Sequence, residues 1–182
     1  MTAAAPAAGA ADRRSTGSAD ASNPARGLTP RRLYRVVAIA EAITWTMLIS
    51  GLVIRAVVGG DTGDLAVSIG GGVHGFVFLA YGATALLTAI NQRWGAGLGV
   101  LAVVTAVVPY ATIPFDAWAH RTGRLEGGWR REASDDPRDA FWLDRLVRWM
   151  LRHPILLAAL LAAAVVALYV VLLIIGPPVP KG

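Results

Sequence analysis

The sequence contains no cysteine, so disulfide bonds, thiolate nucleophiles and cysteine-ligated metal sites are excluded. Other active-site patterns are missing too. There is no HExxH motif, no Ser-His-Asp order and no phosphate-cradling glycine loop before a soluble helix. Two of the three histidines, His120 and His153, lie outside the predicted helix bundle. The sequence therefore predicts no catalytic residues, no metal site and no cofactor.

Charged residues are scarce, at 16% of the chain against about a quarter in soluble domains. Hydrophobic residues make up 55%, mean hydropathy is +0.53, and the apolar residues form four long blocks. Such blocks are typical of membrane helices. The net charge of +5 comes from arginines beside these blocks, where anionic lipid headgroups are nearer than nucleic acid. The lipid bilayer is the predicted partner, and nucleic acid is not.

The predicted fold is an all-α membrane bundle of four transmembrane helices with one interfacial amphipathic helix. Residues 1–30 are rich in Ala, Ser, Gly and Pro and are predicted to be a disordered tail. Residues 31–118 form the three-helix membrane core, and 119–153 a polar section with the amphipathic helix. Residues 154–176 are the fourth span, and 177–182 a short tail.

The helix boundaries follow from local signals. Thr29 and Pro30 suit the N-cap and first position of the first helix. The segment VGGDTGDL, residues 58–65, reads as a loop between the first two spans, and NQRW, residues 91–94, as a polar turn. The block from Gly95 to Phe115 is long enough to be a third span.

Besides Arg35 and Arg55 in the first block, two ionisable residues lie deep within the apolar blocks, Glu41 and His74. Such groups are expected to face the bundle interior. At about 1.5 Å of rise per residue, Glu41, Tyr81 and Thr105 share one layer. His74 falls about 13 Å further along the axis, level with Ser50. Two interpretations stay open: the pair fixes helix register by hydrogen bonding, or it relays protons or ions. In the first, a neutral His74 bonds to Ser50, Thr46 or a backbone carbonyl.

Glycine spacing predicts close helix packing at two places. Gly71 and Gly75 form one GxxxG pattern, and Gly95 and Gly99 form another. The pattern is common in membrane helices and allows their backbones to approach.

Residues 139–154, DAFWLDRLVRWMLRHP, are amphipathic, and residues 139–152 are predicted to form a helix that Pro154 ends. Arg145, Arg148 and Arg152 fall on one stripe, and Trp142 and Trp149 lie opposite with leucines. This pattern predicts a helix along the membrane surface with the arginines on the wet side. The alternative is a soluble helix that packs on its own neighbours.

The distribution of arginines gives conflicting predictions about the orientation of the chain in the membrane. Arginines before the first helix favour a cytoplasmic N-terminus. Four spans would then place residues 119–152 outside, although they hold eight arginines. Since the first helix usually dominates, a cytoplasmic N-terminus in the plasma membrane is the prediction.

Several spaced motifs together resemble domain-of-unknown-function family 3817, over about residues 31–121. The motifs are AxAEAxxWxxL, GxxHGxxFxxY, a short loop with Arg-Trp, and VVPYATIPFDAW. The matching residues are Glu41, His74, Gly75, Tyr81, Trp94, Pro109, Pro114, Phe115 and Asp116. Ala42 stands where the family would have glycine, and PYATIPF replaces a glycine-containing PxGxF. The resemblance implies an actinobacterial or firmicute integral membrane protein of the plasma membrane, with no assigned activity.

Two functions are compatible with these features. The first is a non-enzymatic multi-pass membrane protein that is an accessory or scaffold component of a membrane complex, with a membrane-protein partner. The second is a small homo-oligomeric transporter or proton-coupled exchanger that uses Glu41 and His74.

Overall fold

The computed structural model describes residues 28–175, and their secondary structure is entirely helical. The helices are α1 (Pro30–Val57), α2 (Gly60–Asn91), α3 (Ala96–Val104), α4 (Thr112–Arg121), α5 (Trp142–Arg152) and α6 (Pro154–Ile175). One 3₁₀ turn, Thr105–Val107, continues α3, and another, Pro137–Ala140, precedes α5. The all-α class is confirmed. Most of the predicted N-terminal tail (1–27) and all of the C-terminal tail lie outside the described residues.

Helix α1 begins as the sequence predicts. The Thr29 side chain accepts a hydrogen bond of 3.2 Å from the backbone N–H of Arg32, and Pro30 occupies the first helical position. The predicted loop at residues 58–65 is shorter than expected, because α2 already starts at Gly60. Gly59 has a φ of 65° and turns the chain, while Asp61 lies in the first turn of α2, where a negative charge is favourable.

Close packing of α1 on α2 depends on three glycines whose missing side chains would meet backbone. A Cβ on Gly51 would lie 2.7 Å from the Ala66 oxygen, one on Gly63 2.7 Å from the Arg55 Cα, and one on Gly70 2.8 Å from the Met47 oxygen. These contacts hold α1 and α2 antiparallel with a fixed register.

The predicted GxxxG residues make looser contacts. A Cβ on Gly71 would meet only the Leu48 Cδ1 at 3.7 Å, and one on Gly75 only the Tyr169 ring at 3.7 Å. A Cβ on Gly99 would lie 3.4 Å from the Ala89 Cβ, and one on Gly95 would have nothing within 4 Å. The prediction for Gly95 is wrong, because it lies at the open start of α3. The close approach of α1 to α2 is instead at Gly70, one residue before Gly71.

The third apolar block is not one continuous span. The helix from Ala96 to Val107 is about 18 Å long, too short for the ~30 Å hydrocarbon core. Val108 is extended, with φ −100° and ψ 123°, as the residue before a proline prefers. Tyr110 follows with a φ of 65°, and the chain turns back into α4. Pro109 lacks the N–H that a continuous helix would need.

Helices α3 and α4 form a hairpin that enters and leaves on the same side. Trp94, just before α3, donates its indole N–H to the backbone oxygen of Arg124, just after α4, at 2.9 Å. At the inner end, Trp45 of α1 donates to the Ala106 oxygen at 3.1 Å. On the return path, Phe115 packs near Tyr34 in the first turns of α1, with ring centroids 6.3 Å apart. We call residues 96–121 the re-entrant hairpin.

Among residues 28–175, three helices, α1, α2 and α6, are long and apolar enough to cross a membrane. Helix α6 runs antiparallel to α2: Leu157 near its start clusters with Leu87, and Tyr169 near its end packs on Phe76 at 6.0 Å. The start of α1, the end of α2, the start of α6 and residues 122–153 therefore share one end of the bundle. The indole of Trp129 marks this end, since it donates to the Leu28 oxygen.

Candidate functional site

The bundle interior contains a buried carboxyl group, that of Glu41 on α1, which has no solvent exposure. Its Oε2 lies 3.2 Å from the hydroxyl of Thr112, at the start of α4. The same hydroxyl lies 3.2 Å from the Ala38 oxygen, so it can donate to either acceptor. The other carboxyl oxygen, Oε1, has no hydrogen-bond partner among residues 28–175. The re-entrant hairpin thus closes over Glu41 and leaves half of its hydrogen-bonding capacity unused.

Thr44 connects Glu41 to His74. The Thr44 hydroxyl lies 2.9 Å from the Glu41 backbone oxygen and 3.1 Å from Nδ1 of His74. A hydroxyl has one proton, so when Thr44 donates to the carbonyl, Nδ1 of His74 must donate to Thr44. The imidazole is 8% exposed and lies between aromatic rings, with centroids 4.4 Å from Trp45 and 6.1 Å from Phe78.

The relative depth of these groups differs from the sequence prediction. Ser50 is exposed and does not contact His74, and Thr46 lies 3.3 Å from the Tyr110 hydroxyl instead. The prediction placed Leu33 and Asn91 at equal depth, but the two-residue α1–α2 connection shifts the register. His74 therefore faces Thr44, about one helical turn from Glu41. The predicted separation of about 13 Å is too large.

A second buried layer joins two tyrosines. The hydroxyls of Tyr34 and Tyr81 are 2.6 Å apart, and the Tyr81 hydroxyl is 3.1 Å from that of Thr105. Tyr81 and Thr105 pair, as their predicted shared layer requires, whereas Glu41, predicted in the same layer, pairs with Thr112 instead. Tyr34 was missed, although Tyr34, Ala38 and Glu41 recur at helical spacing on the face that the structure buries.

The end of the bundle that carries residues 122–153 has a polar cluster centred on Asp139. Its carboxylate accepts hydrogen bonds from Arg93 at 2.6 Å, Arg148 at 2.6 Å and Arg130 at 3.2 Å. It also accepts from the backbone N–H and the hydroxyl of Ser134, at 2.6 and 2.7 Å. We call Arg93, Arg130, Ser134, Asp139 and Arg148 the arginine clasp. It binds the long connection to the end of α2 and to α5.

Arg130 also completes the C-terminus of α2. Its guanidinium donates to the Ile90 oxygen at 2.7 Å and to the Asn91 oxygen, two carbonyls at the end of the helix. The Ile90 oxygen also accepts from the backbone N–H of Arg93 at 3.2 Å. The Asn91 side chain in turn accepts from the backbone N–H of Arg130 at 2.9 Å. Sequence reasoning missed this site, because the residues that form it are about 40 positions apart.

The structure of the amphipathic helix α5 contradicts the prediction that Arg148 faces water. Arg148 is 7% exposed and its guanidinium bonds to the Asp139 side chain and backbone, so it does not face water. Arg145 and Arg152 are exposed, and their place on the wet side of a membrane-surface helix stays a prediction. Trp142 and Trp149 are 64% and 49% exposed, so their rings are left for an environment outside the chain. Helix α5 packs inward through Val147 and Leu151.

Hydrogen bonds from the Ser134 backbone and hydroxyl, then from Arg93, lower the pKa of Asp139. A carboxyl whose folded pKa is depressed contributes stability above its unfolded value, near 3.9, and loses it as pH falls toward the folded pKa. The arginine clasp is therefore expected to keep its full contribution to stability from neutral pH down to about pH 4 and to lose it progressively as pH falls further.

Replacing Arg148 with Gln is expected to open the clasp, while Arg145→Gln, on the same helix but exposed, should not. The substitution removes two guanidinium hydrogen bonds to Asp139, and the loss of one charge-assisted bond alone corresponds to about tenfold in the population of the opened connection. Chymotrypsin digestion in membranes at pH 7 measures this as cleavage within residues 122–141. Equal cleavage rates for the two variants would contradict a closing role for Arg148.

The fold defines a multi-pass helical membrane protein. Residues 31–121 match the family described as Domain of unknown function (DUF3817), and the chain belongs to this family. It is similar to a protein of Streptomyces coelicolor (strain ATCC BAA-471 / A3(2) / M145) that is provisionally named a membrane protein. The two are 39% identical over 95 residues. The aligned stretch covers 52% of this chain but only 11% of that relative. No solved structure matches.

Proposed function

We propose that the protein is a non-enzymatic, accessory or scaffold component of a complex in the bacterial plasma membrane. The observation that carries this proposal is that His74 is enclosed by the protein's own side chains. The His74 ring lies against Trp45 and Phe78, and its Nδ1 pairs with Thr44. Such packing leaves the histidine shielded from a substrate and suits a group that fixes helix register.

We also propose that the N-terminus and residues 122–153 are cytoplasmic. Twelve of the thirteen described arginines lie at the end of the bundle that carries the start of α1 and residues 122–153. Among the described residues, only Arg55 lies at the other end. Arg55 pairs there with Asp64 at 3.2 Å. Cytoplasmic segments carry the excess of Lys and Arg, so this distribution supports one orientation. The conflict that four spans created is removed when the hairpin re-enters.

One observation favours the alternative, a homo-oligomeric proton-coupled exchanger. Glu41 Oε1 is buried without a partner in the described chain, and it lies beside a broken helix. Interrupted membrane helices commonly form ion and substrate sites. In this alternative Glu41 would exchange a proton and Thr44 and His74 would support it.

The two functions are separated by comparing wild type with Glu41→Gln. In proteoliposomes that contain a pH-sensitive dye, we expect the wild-type protein to give no more proton flux than empty liposomes. In native membranes, we expect both proteins to copurify with the same membrane-protein partner at equal yield. A wild-type proton flux that Glu41→Gln abolishes, together with purification as a lone oligomer, would favour the exchanger.

A further inference from the structure

A groove of about 360 Å³ lies at the end of the bundle that carries residues 122–153. Its volume is within the range of small-molecule sites. The walls are largely apolar and come from α1, α2, α5 and α6, with Leu33, Leu87, Leu151 and Leu157 among them. Along α6 the groove extends from Pro154 to Leu161, about 10 Å. Because α6 is long and apolar enough to cross a membrane, a groove that follows its first two turns would run from the membrane surface into the hydrocarbon region.

The mouth of the groove combines an aromatic ring with a positive charge. Trp129 lines it and is held in place by the 2.6 Å hydrogen bond from its indole to the Leu28 oxygen. Arg131 lines it too, and its exposed guanidinium has no ion-pair partner in the part of the chain that the structure describes. The Arg131 backbone is fixed, because its carbonyl accepts from Arg152 at 2.8 Å.

We propose that this groove binds one anionic phospholipid, with an acyl chain along α6 and the phosphate on Arg131. The apolar walls match a hydrocarbon chain, and the guanidinium matches a phosphate. Basic groups at the cytoplasmic ends of membrane helices recognise anionic headgroups in this way. The neighbouring arginines 93, 130 and 148 are already bound to Asp139, whereas Arg131 is left for an external anion.

The chemistry predicts preference for the headgroup as well as the chain. A zwitterionic headgroup carries its own cation, so it gains less from Arg131 than a net-negative one. Free inorganic phosphate can meet the guanidinium but gains nothing from the apolar walls. Only an anionic lipid uses both parts of the groove.

Native mass spectrometry of the detergent-purified full chain tests the proposal, with phosphatidylglycerol and phosphatidylcholine as probes. We expect wild type to retain one phosphatidylglycerol and to bind it about tenfold more tightly than Arg131→Gln does. Ala158→Phe, at an exposed position in the groove wall, should weaken binding by filling the space for the chain. Arg145→Gln, an exposed arginine outside the groove, is the matched control and should bind as wild type does.

Equal retention of phosphatidylglycerol by wild type and Arg131→Gln would overturn the proposal, and so would equal affinity for phosphatidylcholine. Excess inorganic phosphate that displaces phosphatidylglycerol completely would show a free-anion site instead. Thermal unfolding of each variant, measured without added lipid, identifies any that lose binding because they no longer fold. Lipid binding in this groove does not depend on whether the protein is an accessory component or an exchanger, since the groove is the same in both cases.

Discussion

Gly70→Ala is expected to lower the thermal stability of the detergent-solubilised protein by several degrees. The added Cβ would lie 2.8 Å from the Met47 oxygen and 3.1 Å from its carbonyl carbon. Both are backbone atoms of α1, so relief requires the two helices to separate. Inserting one carbon into such tight packing costs about 1–3 kcal/mol. Separation would also loosen the Thr44–His74 contact, which lies one turn further along α2.

Gly71→Ala is the matched control. It adds the same atom to the next residue of the same helix, but there the nearest neighbour is the flexible end of Leu48 at 3.7 Å. Both substitutions gain the helix propensity of alanine, worth about 0.5–1 kcal/mol, so that term cancels in the comparison. Unfolding followed by size-exclusion chromatography after heating measures both. If the two variants melt at the same temperature, the close approach at Gly70 does not stabilise the fold.

The second large effect concerns which side of the membrane holds residues 122–153. We expect them on the same side as the N-terminal segment, because α3 and α4 form a hairpin that does not cross. The hydrogen bond between Trp94 and Arg124 joins the two ends of this hairpin. Its inner turn reaches only as far as Trp45 and Thr46, near the middle of α1. A continuous third span would instead put residues 122–153 opposite the N-terminus.

Composition and hydropathy were enough to predict the helical membrane class and the burial of Glu41 and His74. These depend on the cost of placing polar groups in lipid, which acts on each residue separately. The start of α1 was also predictable, because Thr29 and Pro30 act within one turn of the chain.

The register and the hairpin were not predictable in the same way. A loop six residues shorter than expected moved His74 from Ser50 to Thr44, and the sequence contained no contact to fix that length. Pro109 was visible, but a proline in a membrane helix can kink it or end it. The choice here depends on Trp45, Thr112 and Phe115, which contact distant parts of the chain.

The arginine clasp shows why charge counts alone were misleading. The count of eight arginines in residues 119–152 was used to predict orientation as if every one of them were free of partners. Arg130 and Arg148 are bound to Asp139 together with Arg93 from the α2–α3 turn, so they stabilise the connection. Their partners are separated from them by 9 to 46 positions, beyond what a local pattern reports.

Single-cysteine labelling tests whether residues 96–121 re-enter the membrane without crossing it, because the sequence has no cysteine and gives no background labelling. The variants are Ser22→Cys in the N-terminal segment, Thr62→Cys at the start of α2, and Ala133→Cys in the long connection; Thr62 and Ala133 are exposed. Each is treated in intact cells with a membrane-impermeant maleimide, before and after permeabilisation.

We expect Thr62→Cys to be labelled in intact cells, and Ser22→Cys and Ala133→Cys to be labelled only after permeabilisation. The reverse pattern, with Ser22 and Ala133 labelled together from outside, would keep the re-entrant hairpin and refute the proposed orientation. A third outcome is that Ala133→Cys is labelled in intact cells and Ser22→Cys is not. That result would show that residues 96–121 cross the membrane and would contradict the re-entrant hairpin.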